Sequence, residues 1–403
     1  MLIKIAWRNI WRNKKRSFII IGAVTVGLWA GIFLMAFYNG MIEQRIHAAI
    51  TREISHLQIH HPDFIKDYDV RYVISSGTQM LNALDQDTRI KKAAGRVILN
   101  GMIASANGSS GITINGIDPS REKELTGLKD KMIEGKYFEE DKTNEILVSE
   151  KTLKKLKLKL NRKAILTFQD KEGNLASAAF RVNGIFRTIN TPYDERNVFV
   201  DQRDIDSLAG IHHEINEIAI LLQDNERLDE VQQKLSSEFS ELLVRNWKEI
   251  SPELSLTVSA GDRMVVIFMG IIMLALAFGI INTMMMAILE RARELGVLIA
   301  LGMNKLRIFG MVLLETTFLI LAGCPSGILL ALLSIMLTRK TGINLSRYSE
   351  VYGTFGYDSS IYPSLTGEQF ITVMILVLIT AIVSSLFPAR KALNLNPASS
   401  IKK

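Results

Sequence analysis

Long uncharged apolar runs alternate with polar stretches along this chain. Residues 17–38 and 264–289 carry no charge at all. Residues 308–337 are interrupted by Glu315 and by Gly323-Cys324-Pro325-Ser326-Gly327, and residues 370–387 are closed by Pro388. Each run reaches the roughly 17–25 apolar residues with which a helix crosses a hydrocarbon core. The pattern predicts an α-helical membrane protein with four transmembrane helices.

Between the first two runs, residues 39–263 are far too many for a loop and must fold as a domain. Here the periodicity is mixed. Residues 54–60 alternate as a strand does, residues 80–94 read as a helix, and residues 96–106 and 112–117 read as extended. Near the far end, residues 217–223, 228–239 and 242–247 read as strand, helix and strand. The fold class is therefore a four-helix membrane protein with a large α/β extracytoplasmic domain inserted between the first and second helices. Both ends of that domain would build one part, leaving an outer insert at about 121–214. The insert is predicted to hold a short helix at 150–158. It is also predicted to hold a hairpin of 165–168 against 178–182, turning at Lys171-Glu172-Gly173-Asn174.

Charge sets the orientation. Lys4, Arg8, Arg12, Lys14, Lys15 and Arg16 precede the first run. Arg291, Arg293, Lys305 and Arg307 lie between the second and third, and Arg390, Lys391, Lys402 and Lys403 follow the fourth. The longer connection 338–369 has three cations, Arg339, Lys340 and Arg347. The positive-inside rule then places both termini (388–403 being the tail) and the connection 290–307 in the cytoplasm, with 39–263 outside. In residues 1–16, Ile3, Trp7, Ile10 and Trp11 form an apolar stripe opposite Lys4, Arg8, Arg12 and Lys15, so this segment is predicted to lie in the membrane interface on lipid headgroups. The run 17–38 is longer than a signal-peptide core and lacks a small-residue cleavage site, so it is predicted to stay attached.

Composition narrows the chemistry. The 403 residues carry a net charge of +7 and one cysteine, Cys324, which excludes an intrachain disulfide. The basic excess sits beside apolar runs and accompanies no RNA-binding signature, so no nucleic-acid partner is expected. His47, His56, His60, His61, His212 and His213 all fall in the external domain, but their spacing matches no ligand motif. They are expected at solvated strand ends, with no metal site. Neither GxSxG nor HExxH occurs, and Gly135-Lys136 is followed by Tyr137 without the upstream glycine of a phosphate-binding loop. No catalytic residue is assigned, and the domain reads as a binding or force-transmitting module.

The connection 290–307 carries the most information: Glu290, Arg291, Arg293, Glu294, Leu295, Gly296, Leu298, Ala300, Leu301 and Gly302 are the candidate site residues. Leu295, Leu298, Ile299 and Gly302 share one helical face, and Gly302 is placed as a helix stop. A short amphipathic helix at a membrane face can dock into a partner's groove, and it can equally be a solvated turn. Within the apolar runs, Glu315 must face a helix or a cavity rather than lipid. Gly323, Pro325 and Gly327 read as packing and bending positions in the third run. Asn282, with Gly270 and Gly279, reads as a helix-contact position in the second.

These motifs resemble those of the permease family that includes MacB, LolC and LolE, and FtsX. The stretch from Glu290 through Gly296 to Gly302 looks like that family's coupling helix. The stretch from Phe387 and Pro388 to Pro397 and Ala398 looks like its C-terminal signature. Residues 35–40 with 55–59, and 114–119, look like pieces of the lipoprotein-releasing branch, whereas the coupling helix looks closer to MacB. The resemblance implies a stand-alone permease in the bacterial inner membrane that dimerises with a second copy or paralogue. It implies a cytosolic ABC ATPase partner that binds ATP and Mg, leaving no cofactor in this chain. It further implies motion of the external domains, used to release lipoproteins, to export peptides or toxic compounds with a periplasmic partner, or to activate a cell-wall hydrolase.

Overall fold

The computed structural model describes residues 7–8, 10, 12, 14–139 and 142–393. Most of the predicted interfacial helix and the end of the C-terminal signature lie outside them. The chain forms two compact units: residues 43–257 with 345–359, and the remainder, which contains the long apolar helices.

In the first unit, ten strands form one sheet. They are β1 (Leu57–His60), β2 (Ile90–Ser105), β3 (Gly108–Ile117), β4 (Met132–Gly135), β5 (Glu145–Ser149), β6 (Lys163–Gln169), β7 (Leu175–Phe186), β8 (Asn197–Asp201), β9 (Glu217–Leu222) and β10 (Leu243–Asn246). The order is β10-β1-β9-β2-β3-β8-β5-β7-β4, with β6 bridging β2 and β7. Strands from both ends of the domain (β1, β2, β3, β9, β10) therefore lie together, and the strands of the stretch 121–214 continue the same sheet through the parallel β3–β8 pair. The β6–β7 hairpin has Ile165 opposite Ala179 and Leu166 opposite Ala178. Every residue of β9 is buried, as expected of a strand covered on both faces.

The helix expected over 80–94 is two elements. Helix Gly77–Leu84 buries Met80, Leu81 and Leu84, and β2 begins at Ile90. Asp87 breaks the run: its carboxylate accepts from the Arg89 backbone N–H at 3.0 Å, a local bond that competes with helix. Of residues 54–56, expected in the first strand, Ile54 ends a π-helical turn, Ile50–Ile54, and Ser55 turns the chain at φ 64° before β1 begins at Leu57.

The histidines are not uniformly solvated either. His56 and His60 are buried inside the sheet. The His56 Nδ1 accepts the Leu222 backbone N–H at 3.1 Å, and burial depresses its pKa to about 4. His60 contacts the Asn216 carbonyl and the Gln58 side chain and stacks on Phe64. Nearby, Arg96 is fixed between Glu122 at 2.8 Å and Glu217 at 2.9 Å, all three buried. Among the described residues, no three histidine, cysteine or carboxylate side chains gather as metal ligands would.

The connection between the third and fourth long helices is more than a loop. Residues 345–359 belong to the external unit, and their short helix Ser349–Thr354 brings Gly353 against Thr191. Arg45 donates to the Phe355 carbonyl at 3.2 Å.

In the second unit, four helices are long and apolar enough to cross a membrane. The first span, Lys14–Ala49, runs past the end of its apolar stretch. The second is Pro252–Glu290, the third Lys305–Thr341 and the fourth Gly367–Leu393. Their shared core includes Ile20, Val24, Leu28, Leu276, Ile280, Leu319, Val377 and Ala381. The third span is helical through Pro325.

Candidate functional site

The site is the junction of the second and third spans. Arg291 leaves helical geometry (φ −103°, ψ 13°), so the second span ends and a connecting helix, Ala292–Ala300, begins. Leu301 closes that helix, and Gly302 then adopts φ +90°, a conformation in which a Cβ is strained. Asn304 caps the third span, its side chain accepting from the Leu306 N–H at 3.0 Å.

A chain of alternating charges ties the junction together. Arg291 donates from Nη1 to both carboxylate oxygens of Glu315, at 3.1 and 3.2 Å, and both side chains are largely buried. Its Nε reaches Glu294 at 3.2 Å, and Glu294 also receives Arg12 at 2.5 Å. The hydrogen bond from Arg12 holds the Glu294 carboxyl below its usual range. Glu315 is thus explained as a packing charge whose partner is the first residue after the second span. Trp7 packs edge-on against Phe318, so the N-terminal segment also touches the third span.

The predicted docking face turns the other way from a partner. Leu295 is buried, Gly296 is buried, and Leu298 and Ile299 pack partly buried against the cores of the spans. The outward side presents Val297 (42% exposed) and Leu301 (79% exposed), one helical turn apart, with Leu306 (71%) beyond them. Exposed Arg293, Lys305 and Arg307 surround this row. Ala300 sits on the helix and Glu290 at the exposed end of the second span. Val297 and Leu306 were not singled out from the sequence; the i, i+4 spacing of Val297 and Leu301 was the available signal.

The packing positions are distributed. Gly323 and Gly327 meet the first span: a Cβ at Gly327 would lie 2.8 Å from the Leu28 Cβ and 2.9 Å from the Thr25 carbonyl oxygen. Thr25 and Ser326 hydroxyls are 2.6 Å apart across the same contact. Gly270 and Gly279, by contrast, have no atom within 4 Å of where a Cβ would stand. Asn282 is exposed and lines a cavity of about 800 Å³ at the basic end of the first span.

Comparison with known proteins adds two family matches. Residues 17–238 match the MacB-like periplasmic core domain, and residues 266–397 match the FtsX-like permease C-terminal domain. An uncharacterized ABC transporter permease of Methanocaldococcus jannaschii is 28% identical over 55% of this chain and 55% of its own length. The lipoprotein-releasing system transmembrane protein LolC of Neisseria meningitidis serogroup B is 23% identical over 97% of this chain and 95% of its own. The crystal structure of the periplasmic region of MacB from Actinobacillus actinomycetemcomitans aligns with 54% of this chain and 97% of that one. The alignment has 16% identity and a TM-score of 0.37.

Proposed function

Because the chain belongs to the ABC transporter permeases that join a MacB-like periplasmic core domain to an FtsX-like permease domain, we propose that it transmits the work of a separate ATPase through its spans to the external domain. The observation that carries this reading is the outward row Val297–Leu301 at the span junction, an apolar surface rimmed by Arg293, Lys305 and Arg307. A partner's groove covers such a surface, with apolar contacts at the centre and charges at the rim. ATP and its magnesium ion stay with that partner. The junction and both termini face the cytoplasm of the bacterial inner membrane, which the clustering of cations there supports.

The permease acts as a dimer with a second copy or paralogue. The exposed Ile271, Leu274 and Phe278 of the second span form an uncovered stripe suited to helix contact, with Gly270 and Gly279 at its two edges. Its cargo is a lipoprotein, released from the membrane toward a periplasmic acceptor. This choice is supported by the end-to-end correspondence with LolC, whose name describes that task.

The test is co-purification of the detergent-solubilised chain with the ATPase encoded beside it. Leu301→Asp and Val297→Asp should abolish co-purification while leaving the permease folded. Retention of the ATPase by both variants would remove the coupling surface, and a wild-type chain that captures no ATPase would remove the transporter reading.

A further inference from the structure

The cavity beside Asn282 lies between the start of the first span and the end of the second, and its walls are of three kinds. Arg12, Lys14 and Lys15 supply cations at the rim. Arg12 is engaged by Glu294, but neither Lys14 nor Lys15 has a carboxylate partner among the described residues. Deeper along the second span stand Asn282 and Thr283, polar positions in an otherwise apolar helix. The Thr283 hydroxyl donates to the Gly279 carbonyl and keeps its acceptor lone pairs. The Asn282 carboxamide has no partner among the described residues, although an unpaired amide at membrane depth is costly. Ile19 and Met286, each about 60% exposed, complete an apolar wall (61% and 63%).

Cations at the membrane face, an apolar wall one turn in and an unpaired amide about two turns in would suit an amphiphile with an anionic head and a polar linkage. We propose that the cavity is a binding site for an anionic glycerophospholipid. Its phosphate sits on Lys14 and Lys15, its glycerol backbone passes Ile19 and Met286, and an ester carbonyl accepts from the Asn282 amide, the acyl chains running on toward the membrane interior. Glu290, also on the lining, accepts hydrogen bonds from headgroup hydroxyls. From Glu290 back to Asn282 is about 12 Å along a helix, enough to carry a lipid from headgroup to glycerol depth. With Arg12 held by Glu294, Lys14 and Lys15 against Glu290 leave a net positive rim that selects an anionic over a zwitterionic headgroup, each lysine contributing about fivefold near a membrane surface. The site lies beside the junction but uses neither Val297 nor Leu301, so it stands whether or not those residues bind an ATPase.

The experiment is native mass spectrometry of the full chain, purified in mild detergent and offered an equimolar mixture of phosphatidylglycerol and phosphatidylcholine. Wild type should retain phosphatidylglycerol at least about fivefold over phosphatidylcholine. The Lys14→Gln/Lys15→Gln double variant should lose that preference at unchanged melting temperature. Asn282→Leu should weaken retention of phosphatidylglycerol while leaving the lysines in place, a second reading should the double variant fold poorly. Equal retention of the two lipids by wild type, or an unchanged preference in the double variant, overturns the proposal. So does displacement of the bound lipid by millimolar inorganic phosphate, which would make the site one for free phosphate.

Discussion

Arg291 and Glu315, twenty-four residues apart, close the span junction with a two-pronged ion pair whose side chains are 12% and 5% exposed. A charge buried at such depth is costly without its partner. Arg291→Leu leaves the Glu315 carboxylate facing packed helices and should destabilise the permease by about 3–5 kcal/mol. Removing both charges, as in Arg291→Leu/Glu315→Leu, should recover most of that loss. Thermal unfolding in detergent, arranged as a double-mutant cycle, reads both. Equal losses in the single and double variants would show that the pair is not what holds the junction.

Leu295 and Leu301 sit on opposite sides of the connecting helix, and their substitutions should part accordingly. Leu295 is 2% exposed in the spans' core, so Leu295→Ala should cost about 2–5 kcal/mol and lower the melting temperature. Leu301→Ala removes a side chain that is 79% exposed and should leave the melting temperature unchanged. Circular dichroism melts of the two variants side by side check the assignment of faces.

Contact between the first and third spans depends on the absence of a side chain at Gly327. A methyl group there would meet both Leu28 and the Thr25 carbonyl inside 3.0 Å, so Gly327→Ala should cost about 1–3 kcal/mol. Gly327→Val should separate the two helices. Ser326→Ala removes the 2.6 Å hydroxyl contact with Thr25 and should cost about 0.6 kcal/mol. A cysteine crosslink between the spans reports their separation.

The four spans were legible because length and absence of charge are the signal itself, and the β6–β7 hairpin was legible because Gly173 marks its turn. Three features were not. Residues 85–94 follow a true helical face at Met80, Leu81 and Leu84, but the strand that starts at Ile90 is dictated by pairing with β9, a long-range partner invisible to local periodicity. Hydropathy ends near Tyr38, whereas the first span's backbone continues to Ala49, since helix does not stop where apolarity stops. At the junction, periodicity groups Leu295, Leu298 and Ile299 correctly on one face. Val297 and Leu301 make the opposite face apolar too, so the pattern alone could not say which face the spans cover.

The external sheet carries its own pH dependence. His56 is buried, its Nδ1 accepts the Leu222 N–H, and its pKa falls from 6.5 to about 4, chiefly through desolvation. Protonation would put a donor against a donor. The unfolded chain binds a proton at His56 below about pH 6.5 while the folded chain resists until about pH 4, so the folded state loses stability as pH falls through that window. The loss reaches about 3 kcal/mol at its acid end and is absent above pH 7. Hydrogen exchange at β1 and β9 in the full chain should therefore accelerate between pH 7 and pH 5 beyond the intrinsic trend. In His56→Gln, whose side chain cannot titrate, that excess should shrink, leaving the part carried by His60, whose pKa burial also lowers. Persistence of the same acceleration in the variant would assign the sensitivity to another group.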